Sequence, residues 1–236
     1  MLNSLRFATS LRVCIPLPLV KNMTHRRIVP ALLAALLLLA GAGNSFAQDA
    51  PTPAPSTPAT AFVQQTATEV LSIVNAASAE GATAERQEAL RSSIRGFLSY
   101  ELLAERTLGD HWDTRSSEQR AAFVALLRDL IETSYAKRLG EGSVAEGDYT
   151  IAYTDERERR GRYTVEATVS AGGSTHYLEV KMQPGEADQW LVYDVVTDDV
   201  SLEESYAESF ESIIADEGWD ALLERMQERL TELRAG

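Results

Sequence analysis

The sequence predicts an α+β domain, a curved antiparallel sheet of about four strands covered by helices. Three observations carry this. Apolar residues recur at helical spacing between 61 and 139, alternate with polar ones between 149 and 196, and return to helical spacing from 202 to 233. Gly172 with Gly173, and Pro184 with Gly185, punctuate the alternating region as turns, so neighbouring strands pair antiparallel in a meander.

The first helix is expected from near Ala61, with Phe62, Val63, Thr66, Val70, Ile73, Val74 and Ala77 on one side and Gly81 as a break. A second covers about 84–95 and turns Leu90, Ile94 and Phe97 inward, and a short third, 98–107, ends near Gly109. The clearest starts at Ser116, which with Gln119 fits a capping box for the first free N–H groups. Its apolar face of Phe123, Leu126, Leu127, Leu130, Ile131, Tyr135 and Leu139 is wider than one coiled-coil seam, and Gly140 and Gly142 close it. Three alternating runs follow: Tyr149, Ile151 and Tyr153; Tyr163, Val165, Ala167 and Val169; His176, Leu178, Val180 and Met182. Residues 189–196 are apolar on both faces, as in a central or doubly covered strand. Two helices end the chain, 202–215 with Leu202, Tyr206, Phe210, Ile213 and Ile214 inward, and 219–233 with Leu222, Leu223, Met226 and Leu230 inward.

The N-terminal end reads as an export signal. After Met23, His25, Arg26 and Arg27 form a charged region, 28–42 is an apolar run, and Ser45, Phe46 and Ala47 give a small-x-small cleavage pattern. The run is shorter than the roughly 20 residues of a membrane span, so 1–47 is expected to be a cleavable signal peptide, with Met23 as an alternative start. No Cys stands at the cleavage point to take a lipid anchor. Residues 48–60, rich in Pro, Thr and Ala, read as a disordered linker, leaving 61–233 as one domain. Of the 22 Lys and Arg, five leave with the peptide and 17 remain against all 35 Asp and Glu, giving the 189-residue mature chain a formal charge of −18. Cys14 leaves too, excluding disulfides, thiol nucleophiles and Cys-ligated metal from the mature chain. The acidic balance speaks against nucleic acid and against adsorption to an anionic membrane.

Catalytic signatures are thin. His111 and His176, the two histidines beyond the leader, lack a metal-ligand spacing. Asp194, Asp198, Asp199, Glu203 and Glu204 lack the alternation and internal Gly of a calcium loop; they read as a solvated acidic stretch favouring the next helix's N-terminus. No Ser-His-Asp or phosphate-cradling Gly signature is present. Asp155, Glu156, Arg157, Glu158, Arg159, Arg160, Gly161 and Arg162 form an interleaved charge run, expected at an exposed hairpin tip. It is the one locally basic spot and a candidate for docking. Trp112 and Trp190 are expected to be structural anchors. The abundant apolar faces fit either a dry core or a cavity.

Several stretches together are characteristic. They are Glu101, Leu102, Leu103, Ala104, Glu105, Arg106, Thr107, Leu108, Gly109, Asp110, His111 and Trp112; then Gln119 to Phe123; then Thr133 to Ala136. Near the C-terminal end come Trp190, Leu191, Val192, Tyr193, Asp194 and Val195, then Val200, Ser201 and Leu202, then Tyr206, Phe210 and Gly218. In order and spacing this set resembles the MlaC (toluene tolerance) family of periplasmic phospholipid-binding proteins, over most of 61–233. Two positions depart from the pattern. Asp199 stands where the family usually has Gly, and Ala207 where it usually has Arg.

The resemblance implies a fold like nuclear transport factor 2 with a cavity for phospholipid acyl chains. It implies a non-enzymatic periplasmic monomer, without cofactor or metal, whose cargo is phospholipid. The carrier would shuttle lipid between an outer-membrane lipoprotein complex and the lipid-binding subunit of an inner-membrane ABC transporter, maintaining outer-membrane lipid asymmetry. No stable membrane insertion and no nucleic acid are expected. A carrier is needed because exposing an acyl chain to water costs roughly 0.8 kcal/mol per methylene, on the order of 12 kcal/mol for a long chain. The expected lining is Phe97, Leu108, Phe123, Leu127, Leu130, Ile131, Val165, Leu178, Val180, Val195, Tyr206 and Phe210. Three alternatives stay open: a carrier of another lipid such as a hopanoid, an isomerase or dehydratase on the same fold with Asp194 as its cavity carboxyl, and a periplasmic adaptor with a closed core.

Overall fold

Thr57 and Pro58 open the first helix, α1 (Pro58–Ala76), three residues before the expected start near Ala61. Proline suits the first helical turn, where its missing N–H is no loss. Glu156, 96 residues further on, accepts from the Thr60 N–H at 3.0 Å and the Thr60 hydroxyl at 2.6 Å, and also from the Thr57 hydroxyl. Residues 58–60 of the expected linker are therefore helical, held by a carboxylate at the positive end of the helix. The computed structural model describes residues 57–76, 84–140, 149–171 and 174–235. The expected signal peptide, the expected linker up to 56, Ala77, Gly81, Gly142 and the expected turn of Gly172 with Gly173 lie outside the described residues.

Four more helices precede the sheet: α2 (Ala84–Phe97), α3 (Tyr100–Leu108), α4 (Asp110–Asp113) and α5 (Ser117–Gly140). The short α4 was not expected; Gly109, at φ 50°, turns the chain sharply between α3 and it. The expected capping box at α5 forms, with Ser116 N–H on Gln119 Oε1 at 3.0 Å and Gln119 N–H on Ser116 Oγ at 3.3 Å. Residues 130–136 of α5 are buried on every side, which explains an apolar face too wide for one seam.

The sheet consists of β1 (Tyr149–Arg159), β2 (Arg162–Ala171), β3 (Ser174–Pro184), β4 (Trp190–Thr197) and β5 (Val200–Ser201), antiparallel throughout in the order β1-β2-β3-β4-β5. Four strands match the expected meander, and the two-residue β5 is an addition. On the inner face Val165, Val180 and Val195 stand opposite one another, flanked by Ala167 with Leu178 and by Met182 with Val192. Register shifts in β1 after Tyr153, and between β3 and β4 at Lys181 and Met182, locally increase twist. The first shift also corrects the expected hairpin tip. Residues 155–159 continue β1, and only Arg160 and Gly161 form the turn, with φ 56° and 73°. Positive φ at both central residues is the two-residue hairpin geometry that matches strand twist.

Helix α6 (Leu202–Glu217) follows β5 at once, and α7 (Trp219–Ala235) closes the chain. Gly218, at φ 90°, ends α6 with its N–H on Ile213 O at 3.2 Å and Ile214 O at 3.0 Å. Helix α1 lies on β1 and β2, α3 and α6 lie on β4, and α5 packs behind them against α2, α3 and α7. The core runs continuously between these helices and the inner face of the sheet.

Candidate functional site

All twelve residues expected to line a cavity are buried in that one continuous core. Helices α5, α6 and α7 meet through aromatic contacts: Phe123 and Phe210 edge-on at 5.4 Å, Tyr206 and Phe210 at 5.3 Å, and Phe123 and Trp219 at 5.6 Å. Val165, Leu178, Val180 and Val195 come from the sheet's inner face, while Phe97 and Leu108 end α2 and α3.

A cleft of about 420 Å³ opens where the link from α2 to α3 meets the start of β4. Of the twelve expected residues, Phe97 alone belongs to its lining. Its apolar walls are Phe62, Phe97, Leu98, Trp190 and Leu191, and its polar groups come from Arg95, Ser99 and Gln189. The geometry is fixed from several directions. Phe62 stacks on Phe97 with centroids 6.1 Å apart, and Trp190 meets Tyr163 edge-on at 5.0 Å. Leu98 bridges to Val192 in parallel register, and Ser99 N–H donates to Val192 O at 2.8 Å. Phe97 and Leu98 belong both to the cleft wall and to the core.

Arg95 sits at this cleft half exposed, yet it is anchored inward. Its Nε and Nη2 donate to the two carboxylate oxygens of Glu132 at 2.9 and 2.6 Å, the bidentate fork that matches guanidinium to carboxylate. Glu132 lies in the wholly buried part of α5, and its hydrogen bonds and charge push the Arg95 pKa further up. Close by, burial and then the Glu132 charge push the Tyr100 phenol well above its ordinary value. The Tyr100 hydroxyl is buried and has no hydrogen-bond partner among the described residues. Neither Arg95 nor Glu132 was singled out from the sequence. The one hint was a charged residue beside Ile131 in a broad apolar face.

Of the acidic stretch, Asp198, Asp199 and Glu204 are exposed as expected, and Glu203 and Glu204 stand in the first turn of α6, but Asp194, within β4, is not solvated. Asp194 is fully buried, and its carboxylate accepts from Lys181 Nζ at 2.9 Å, Ser201 Oγ at 2.8 Å and the Glu203 N–H at 3.0 Å. For Lys181, burial lowers the pKa, but the hydrogen bond and charge of Asp194 outweigh it and the net shift is upward. Asp194 thus ties β3, β4 and the start of α6 together. A proton-transfer role would need its oxygens on the inner face, whereas they are taken up by these donors. Asp198 bonds His176 Nδ1 at 2.7 Å, Glu203 pairs with Arg106 at 2.9 Å, and Glu211 takes His111 Nε2 at 2.8 Å. Each histidine therefore joins two elements. Among the described residues no group of three His, Cys, Asp or Glu is placed to hold a metal. Trp112 carries Arg120 over its ring at 4.9 Å, an anchoring contact, whereas Trp190 also lines the cleft.

These features define an α+β domain with one continuous apolar core between its helices and one sheet face, and an amphipathic cleft at the edge of that core. The chain belongs to the MlaC protein family, whose model matches residues 64–228. A relative from Haemophilus influenzae, the intermembrane phospholipid transport system binding protein MlaC, is 26% identical over 148 residues, covering 61% of this chain and 67% of that one. A solved phospholipid-binding protein from Ralstonia solanacearum, in complex with a phospholipid, superposes with a TM-score of 0.64. It is 21% identical, and the match covers 74% of this chain and 97% of that one. At that identity the likeness establishes the fold. Among the described residues no helix is long and apolar enough to cross a membrane.

Proposed function

We propose that the mature chain is a non-enzymatic phospholipid carrier of the periplasm. It takes lipid between an outer-membrane lipoprotein complex and the lipid-binding subunit of an inner-membrane ABC transporter, and so maintains outer-membrane lipid asymmetry. The observation that carries this reading is the large apolar core between helices and sheet, which shares Phe97 and Leu98 with the wall of an open cleft. Acyl chains need such an interior in transit, because their exposure to water costs roughly 0.8 kcal/mol per methylene. Family membership supports the cargo, and the leader 1–47 supports the compartment. The twelve buried residues from Phe97 to Phe210 are the proposed chain contacts. At a formal charge of −18, loading is expected through protein partners rather than by adsorption to anionic bilayers.

Mass spectrometry of lipids extracted from the mature protein, purified from the periplasm and again after incubation with liposomes, tests the reading. Phospholipid is expected in near-stoichiometric amount. A protein that carries none under either condition is not a phospholipid carrier.

A further inference from the structure

We propose that the cleft between the end of α2 and the start of β4 is the seat of the cargo's headgroup, with Arg95 as the ligand of its phosphodiester. The inference rests on the carrier reading and assigns the polar end of the cargo to named residues. The cleft's volume of about 420 Å³ is at the lower end for small-molecule sites. It suits a glycerophosphate and its first methylenes rather than two whole acyl chains. Its lining has the matching chemistry. Phe62, Phe97, Leu98 and Trp190 offer apolar surface, while Ser99, Gln189 and the Arg95 guanidinium offer donors to phosphate oxygens.

Arg95 is prepared for an anion. Its Nε and Nη2 are held by Glu132, so the guanidinium plane is fixed while Nη1 makes no hydrogen bond among the described residues. The side chain is 50% exposed at the cleft, whereas that of Glu132 is 3% exposed. The buried carboxylate therefore positions the cation, which stays half exposed in the cleft lining. Bidentate holding by one anion with spare donors toward another is a use to which the five N–H groups of arginine lend themselves. A second observation points to a missing oxygen. The Tyr100 hydroxyl, immediately after Ser99 in the chain, is buried without a partner in the surroundings of Glu132 and Arg95. Buried polar groups are rarely left so; Tyr100 itself does not line the cleft, so a water held by the headgroup would satisfy it. Phe97 and Leu98, which the cleft shares with the apolar core, are where the first methylenes of the acyl chains would pack.

The test uses the delipidated mature chain and mixed detergent micelles holding equal amounts of phosphatidylglycerol and diacylglycerol with identical acyl chains. Bound lipid is quantified by mass spectrometry. The wild type is expected to enrich phosphatidylglycerol about tenfold, the effect of one partly exposed charge-assisted contact. Arg95→Gln alone would strand the buried Glu132, so the informative variant is Arg95→Gln with Glu132→Gln, checked for a cooperative melt. Its enrichment is expected to fall to near unity. Arg95→Lys, which keeps the charge and loses the fork, should fall in between. A double variant that keeps the tenfold preference overturns the proposal, and so does a wild type that takes both lipids equally, though the carrier reading then survives. A wild type that takes neither lipid overturns both. Millimolar inorganic phosphate should leave the preference intact. If it abolishes the preference, the cleft is a site for free phosphate and the headgroup assignment is wrong.

Discussion

Replacing Asp194 by alanine should be among the most damaging single changes outside the apolar core, and its size can be worked from the contacts. The carboxylate is fully buried and holds Lys181 Nζ at 2.9 Å, Ser201 Oγ at 2.8 Å and the Glu203 N–H at 3.0 Å. The Lys181 side chain is 28% exposed and regains water when released, so that contact is discounted to about 1 kcal/mol. Ser201 also caps α6 through Glu204 N–H at 3.0 Å and keeps that bond, so its loss is about 1 kcal/mol. The Glu203 N–H lies in the first turn of α6 and loses a charged acceptor at the helix N-terminus, about 1–2 kcal/mol. The total is about 3–4 kcal/mol, equivalent to a fall in Tm of roughly 6–16 °C for a chain of this size. Asp194→Asn keeps an acceptor and loses the charge, and should cost about half as much. Equilibrium urea unfolding with matched thermal melts reads both. An alanine variant within 1 kcal/mol of wild type, or an asparagine variant as unstable as the alanine one, would refute the account of Asp194 as the tie between β3, β4 and α6.

Three further outcomes follow from single features. Asp199 has φ 65°, where glycine is at ease and L residues are strained. Asp199→Gly should leave stability unchanged or raise it by up to about 1 kcal/mol, and Asp199→Val should lower it by about 1–2 kcal/mol, measured by urea unfolding. Glu156→Ala removes the acceptor at the start of α1 and should cost about 1–2 kcal/mol, with hydrogen exchange rising first at residues 58–63 and not in α5. Burial pushes the Tyr153 phenol up to about 12. Its folded pKa exceeds the unfolded value near 10, so its contribution is intact below pH 10 and is lost between about pH 10 and 12, on the order of 2 kcal/mol. Tyr100 and Lys181, also shifted upward, act in the same sense. Stability read alongside tyrosinate absorbance should decline over that window, and a flat profile to pH 12 would contradict it.

The elements were legible because each is announced by local chemistry. Ser116 with Gln119, Gly109, Gly218 and the alternation through Val165 and Val180 are short-range signals, and the structure uses all of them as the sequence indicates. What sequence reasoning missed depends on partners far apart in the chain. Glu156 looks like one more charge in an exposed run until a bulge after Tyr153 turns it inward to the start of α1. Asp194 reads as part of a solvated stretch, Glu132 draws no attention, and nothing local reveals that Lys181 and Arg95 meet them. The cleft was only partly visible for the same reason. Phe97 was identified by its helical spacing. Phe62 and Trp190 join it only because α1 and β4 converge there.

The distribution of buried charge bears directly on how such an interior can serve a carrier. A base that abstracts protons must keep a lone pair free and face its substrate. The buried carboxylates among the described residues are otherwise occupied. Glu132 is held by Arg95, Glu166 by Arg157 and the Tyr177 hydroxyl, and Asp194 by Lys181, Ser201 and the start of α6. Glu166 and Asp194 stand opposite Glu179 and Lys181 on the sheet's outer face, alternating with the inward valines, so their pairing leaves the inner face apolar. A lipid chain in contact with that face would meet methyl groups and rings. On the proposed assignment, the polar groups that discriminate one cargo from another are those lining the cleft, Arg95, Ser99 and Gln189. Selectivity and capacity then reside in different places. Changes among the core valines should alter how much chain is accommodated, while changes at the cleft should alter which headgroup is preferred. Stability data alone would not separate the two roles, but the ratio of lipids bound by core and cleft variants does.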